Sequence, residues 1–321
     1  MSDDLPSLGP RLDDAWAKVR RADKHLRALE QSLKRFRRRQ PYRVVVEQYD
    51  SDLLKEPAWV QIEARLDAFG MRAEGSPRLG ARTWLASVSL EPRVDPPVRD
   101  WATTIGDVAH NLASSLDLLA KQLYFVGRDF SQPGGADGEL AKRRERDVAF
   151  PCCKRPKDWP KAADRHLPLV GPAARAVIEG AQPYHAGKDE RDPAVRRHPL
   201  WVLHELWNRD KHEALNLAVV AGAFVGAAAR PAGAPPEAPE LRVEKVVNWA
   251  TRPLVGKTQV AVIRVYFPHP IQIPTQLQMN VNNNFSLGIL FGEGMPGQDA
   301  NVMALLGGAR NEVARLLDCF R

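Results

Sequence analysis

Side chains able to move a proton or hold an ion recur in two short stretches, Trp101–Val126 (WATTIGDVAHNLASSLDLLAKQLYFV) and Pro199–Leu217 (PLWVLHELWNRDKHEALNL). The first carries Asp107, His110, Asn111 and Asp117. The second carries His204, Asn208, Asp210, Lys211 and His212. Imidazoles beside carboxylates are the material of general acid–base catalysis and of metal ligation. Amides and a lysine suit a polar binding pocket instead. His110, Asp117, His204 and His212 could share a cation only if the two stretches were helices packed antiparallel. Ser114 and Ser115 near His110 pair a hydroxyl with a base, but nothing signals an oxyanion hole. His204–Asn208 (HELWN) misses the H-E-x-x-H zinc helix by one residue, because Asn208 replaces the second imidazole and an amide is a poor zinc ligand.

Both stretches have helical periodicity. In the first, Trp101, Ile105, Val108, Leu112, Leu116, Leu119 and Leu123 fall on one arc, the expected core face. His110, Ser114, Asp117 and Lys121 fall together on another, with Asp107 and Asn111 beside it. Serine, asparagine and histidine are poor choices for helix propensity alone, which argues mildly against plain solvent exposure. In the second, Pro199 suits a first turn, and Val202, Leu203, Leu206, Trp207, Ala214 and Leu217 share the apolar arc. Asp210 falls inside that arc. A buried carboxylate must be paired or neutralised, so the pattern predicts a buried Asp210 with a fixed polar partner.

The remaining chain supplies the frame. Residues 1–11 read as a disordered leader and residues 12–321 as one α+β domain, with halves 12–126 and 199–321 joined by an irregular insertion, 127–198. From Leu12 to Phe36 apolar residues step by three and four, a long amphipathic helix that Pro41 ends. Its end carries Lys34, Arg35, Arg37, Arg38 and Arg39, with Arg43 just beyond. Cations there offset the helix dipole. A nucleic-acid contact is allowed by this charge but not favoured over that role.

Tyr42–Tyr49 and Thr83–Leu90 read as strands, with a short helix at Ala58–Phe69 between them. Ser131–Gly138 is a Gly-rich loop, and Leu169–Ala181 is a short helix followed by a Q-P-Y turn. After Leu215 come strands at Leu217–Val225, Leu241–Trp249, Gln259–Phe267, Leu277–Val281 and Phe285–Phe291. Ala228–Pro239 reads as a loop and Asn282–Asn284 as a hairpin turn. Asp299–Phe320 is a closing C-terminal helix, in which Gly307 and Gly308 would let another element approach.

Composition sets outer bounds. The chain has 321 residues, 44% hydrophobic and 26% charged, so a packed core is within reach. A net charge of +7 permits an anionic partner without demanding one. Three cysteines without framework spacing argue for a reducing compartment and against a disulfide scaffold. The acidic start is no secretory signal. The most apolar run, Leu217–Ala229, is too short to span a bilayer. These features predict a cytoplasmic protein without membrane contact. They name no cofactor and leave a second copy of the chain open as a partner.

Ile105–Leu123 (IGDVAHNLASSLDLLAKQL) resembles the I-G-D-x-x-H-N-L-R-S-x-L-D helix of a large bacterial family of uncharacterised proteins. Leu203–His212 (LHELWNRDKH) resembles the later L-x-x-L-x-N-x-D-K-H helix of that family, and Gln182–Tyr184 its Q-P-Y turn. Ala113 departs where the family has arginine. The resemblance implies a shared α+β fold with a paired polar motif, and no activity.

Three readings of function stay open, and the sequence does not decide whether the protein is an enzyme. The favoured one is a binding or regulatory module with a polar pocket between helices 101–126 and 199–217. The alternative is a metal-dependent or acid–base hydrolase at the same His/Asp cluster. The third is a HEPN-like protein acting on nucleic acid, since Arg20…His25 and Arg197…His204 have the Arg–His spacing of that ribonuclease type. Matches of that kind arise by chance in a chain this rich in arginine.

Overall fold

The computed structural model describes residues 5–48, 82–131, 145–210, 215–224, 228–231, 242–248, 253–267, 277–280, 285–292, 295 and 300–321. The expected helix at Ala58–Phe69, residues 132–138 of the Gly-rich loop, the Asn282–Asn284 turn, Lys211 and His212 lie outside the described residues. The fold is α+β. The chain divides into two compact units, interleaved in sequence. One gathers residues 1–35, 97–217 and 289–321, and the other residues 36–96 and 218–288.

The first unit is helical. A 3-10 turn at Gly9–Leu12 leads into α1 (Asp13–Arg38), whose first turn carries Asp13 and Asp14, as the helix dipole favours. The helix α2 (Val98–Ser131) is its centre. Short helices follow: α3 (Trp159–His166), α4 (Pro172–Gly180), α5 (Pro193–Arg196) and α6 (Pro199–Asp210). The unit closes with α7 (Val302–Asp318), capped by Asn301, whose Oδ1 accepts the Ala304 N–H at 3.1 Å.

α2 packs on α6 and α7, and α6 on α7. Trp101, Ile105, Leu112, Leu119 and Tyr124 are fully buried, so the arc expected to face the core does so. Two polar links bind α2 to α1: Trp101 Nε1 donates to Ser32 Oγ at 3.0 Å, and the buried Ser115 Oγ donates to Ala15 O at 3.0 Å. Arg310 on α7 grips Asp23 of α1 bidentately at 2.9 and 3.1 Å.

The second unit is β-rich. β1 (Tyr42–Gln48), β2 (Arg82–Pro92), β5 (Arg242–Asn248) and β6 (Thr258–Phe267) form an antiparallel sheet in the order β1-β2-β6-β5. Val44 faces Leu90, Trp84 faces Val265 and Val243 faces Val265 across the ladders. β4 (Ala228–Pro231) pairs with β7 (Leu277–Asn280), and β3 (Leu217–Phe224) with β8 (Phe285–Phe291).

Several expectations need correction. Residues 5–11 are no disordered leader. Leu8 is buried, its N–H bonds Phe320 O at 2.8 Å, and Ser7 Oγ bonds Arg321 O at 2.8 Å. The insertion is not irregular where it is described, since α3 to α5 lie within it. The second polar helix is described over Pro199–Asp210, and it cannot reach Leu217, which already starts β3. Part of the Pro/Ala loop is β4, because a strand ladder needs backbone groups more than side chains. A Cβ at Gly307 would enter open space, and one at Gly308 would make only an ordinary contact with Pro199. The glycine that admits backbone is Gly127. A Cβ there would meet the Leu169 carbonyl, whose carbon would lie 2.8 Å away, and Leu169 itself is left-handed at φ 63.

Candidate functional site

α2 and α6 run antiparallel. Near one end Asp210 meets Gly106, and further along α2 Ala113, Leu116 and Asp117 line one recess with Leu200, Leu203, His204 and Trp207. From Asp107 to Asp117 the helix rises about 15 Å. The register therefore divides the polar residues into two groups.

The recess lies at the Asp117 end, and Phe150 and Cys152 complete its lining. That segment is pinned from behind by Gln182, a fully buried side chain. Gln182 Oε1 accepts the Cys153 N–H at 2.8 Å, and its amide donates to Pro151 O at 3.1 Å and Ile178 O at 3.0 Å. Every polar atom of the amide is thus satisfied, as burial requires. Pinned this way, the Phe150 N–H donates to Asp117 Oδ1 at 2.9 Å.

Across the recess Asn208 Nδ2 donates to His204 Nε2 at 3.0 Å, one helical turn away. The His204 ring lies 5.5 Å from that of Trp201, over which Lys154 Nζ sits at 3.7 Å. Cys152 Sγ donates to Leu200 O at 3.6 Å. Burial pushes the Cys152 thiol far up, Cys153 and Glu205 add to this, and Lys154 only partly opposes it. A thiol held protonated is no nucleophile. About 30 Å³ of the recess can hold a water-sized centre, room for an ion or a ligand of a few heavy atoms.

The second group surrounds Gly106. Asp107 and His110 are exposed on α2. His25 of α1 brings Nδ1 to 3.8 Å from Asp107 Oδ2. The Asp210 carboxylate occupies the space a Cβ at Gly106 would take, with Oδ2 2.7 Å from that point. Asp210 is exposed, contrary to the burial its position on the helical wheel predicts, and it makes no hydrogen bond or ion pair among the described residues. Partial burial raises its pKa, Asp107 raises it further, and His110 acts the other way. Asn111 is structural: it is buried, and its amide donates to Asp107 O at 2.7 Å.

Of the expected foursome His110, Asp117, His204 and His212, the last lies outside the described residues, and His110 does not join the recess that Asp117 and His204 line. His110 and Asp117 are about 10 Å apart along α2. Among the described residues no three His, Cys, Asp or Glu side chains are placed to hold a metal ion. Sequence reasoning missed His25 as a partner of Asp107 and Cys152 as a lining residue. Only the Arg20…His25 spacing marked the former, and nothing in the pattern marked the latter. Of the other Arg–His pair, Arg197 lies past the end of α5 and off α6.

The basic run also resolves into parts. Lys34 pairs with Glu30 at 2.7 Å, and Arg43 forks onto Glu91 opposite it on β2. Arg35, Arg37, Arg38 and Arg39 stay exposed. No described helix is long and apolar enough to cross a membrane. No protein-family model, curated protein or solved structure matches the chain.

Proposed function

We propose that the protein is a non-catalytic binding or regulatory module whose ligand occupies the recess between α2 and α6. One observation carries this reading. The polar groups lining the recess are already engaged by the protein, Asp117 by the Phe150 N–H and His204 by Asn208, and the one thiol is held neutral. Such groups orient a ligand better than they attack one. Thermal unfolding with ammonium, acetate, inorganic phosphate, zinc or calcium tests it. One probe should raise the melting temperature of the wild type, and His204→Ala and Asp117→Asn should lose the rise. A ligand at a hundred times its dissociation constant adds about 2.7 kcal/mol. No rise with any probe at millimolar concentration would overturn the reading.

An acid–base hydrolase is a second reading, favoured by a different observation. Asp107 and Asp210 are neighbouring carboxylates in unequal surroundings, and partial burial together with the nearby Asp107 raises the Asp210 pKa. Unequal carboxylates divide acid and base roles. Turnover of a chromogenic ester, lost in Asp107→Asn, would support it.

A further inference from the structure

We infer that the end of α1, together with the start of β1 and the end of β2, is a docking surface for the phosphate backbone of a nucleic-acid duplex. Arg37, Arg38 and Arg39 are exposed there. The chain turns at Gln40, left-handed at φ 47, and Pro41 then accepts the Arg93 N–H at 2.7 Å. That bond brings Arg93, also exposed, beside the helix end. None of these four arginines has an acidic partner among the described residues. Arg43, their neighbour, is neutralised by Glu91. Among the described residues, Asp95 also acts nearby, felt by Tyr42.

The charge exceeds what the helix needs. A helix C-terminus carries roughly half a negative charge. Four unpaired guanidinium groups supply about eight times that. Selection for solubility alone would accept lysine, whereas all four are arginine, whose planar fork matches phosphate oxygens bidentately.

The kind of partner follows from what is missing around them. Single-strand binding draws on exposed aromatic faces for base stacking. Phe36 is buried, and Tyr42, set edge-on to it with ring centroids 6.4 Å apart, is partly buried. A membrane surface draws on several exposed apolar anchors. Among the described residues Val94 alone offers one here, at 37% exposure. A duplex needs neither, and it presents one phosphate charge per roughly 1.7 Å of axis.

The test is fluorescence anisotropy of a labelled 20-base-pair duplex, DNA and RNA in parallel arms. Single-stranded oligonucleotides and phosphatidylserine vesicles serve as comparison arms. Four phosphate contacts predict an affinity falling roughly 100-fold between 50 and 200 mM salt. The triple reversal Arg37→Glu, Arg38→Glu, Arg39→Glu should lose binding at 50 mM, with helix content by circular dichroism unchanged. If that variant does not fold, Arg37→Gln, Arg38→Gln, Arg39→Gln takes its place and should bind at least tenfold more weakly. Three results overturn the proposal: no wild-type binding at 50 mM salt, equal affinity in the variant, or tighter binding to vesicles or single strands than to duplex.

Discussion

The two ends of the α2–α6 contact are built on opposite plans. At the Asp117 end, polar atoms are locked into hydrogen bonds anchored on a buried glutamine. At the Gly106 end, charged groups from α1, α2 and α6 converge without locking. His25 is only within electrostatic reach of Asp107, and Asp210 rests over a glycine. The first arrangement fixes geometry and spends its protonation states on structure. The second leaves its side chains without hydrogen bonds that fix them among the described residues. A small ligand needs the former, and proton transfer needs the latter, so the two readings of function belong to different ends of one helix pair.

The largest expected effect is at the locked end. Gln182→Ala should destabilise the protein by about 3 kcal/mol, because it leaves the Cys153 N–H and the Pro151 carbonyl buried without their partner. Denaturant unfolding measures it. A loss under about 1 kcal/mol would mean that water replaces the amide and that the locked end is not locked.

An intermediate effect is expected over Gly106. Alanine in place of a mid-helix glycine ordinarily gains about 1 kcal/mol. Here the new methyl displaces the Asp210 carboxylate, which must swing off its rotamer at a similar cost. Gly106→Ala should therefore be near neutral in the wild type and stabilising by about 1 kcal/mol in an Asp210→Ala background. A double-mutant cycle reads that coupling directly. Additive effects would show that Asp210 does not rest where the structure puts it.

The smallest effect concerns pH. The folded Asp210 carboxyl has a raised pKa, so the folded state holds its proton longer than the unfolded chain does. Stability from this group is present below the usual carboxylate range and is lost as pH rises through the raised value. Asp210→Asn should remove that decline and stabilise the protein at neutral pH by under about 0.5 kcal/mol, since an exposed group is well screened. Unfolding at pH 3 and pH 7 checks the sign.

Much of the frame was legible. α2 was announced by the period of Trp101 to Leu123, and β1 and β2 by β-branched and alternating runs. What escaped depended on contacts distant in sequence. Leu8 looks like part of an acidic leader until Phe320 is brought to it. β4 hides in Pro/Ala composition because β7 supplies its order. Asp210 fell on an apolar arc, yet the space it faces exists only because residue 106 is glycine. Glycine spacing alone pointed to Gly307 and Gly308, whereas the close approaches among the described residues are at Gly106, Gly127, Gly187 and Gly292. Of the candidate site, the pairing of the two helices was readable. Its division into two ends was not, because it is set by the antiparallel register.

The interleaving of the helical unit has a consequence for synthesis. α6 ends at residue 210, and α7, which packs against both α2 and α6, begins at residue 302. A ribosome adding residues at about 5–20 per second needs roughly 5–20 s to cover that interval. During that time the apolar surfaces of α2 and α6 wait in the nascent chain for a partner not yet made. Completion of the helical unit therefore waits for the synthesis of α7, and a chain released early, before α7, carries those surfaces uncovered.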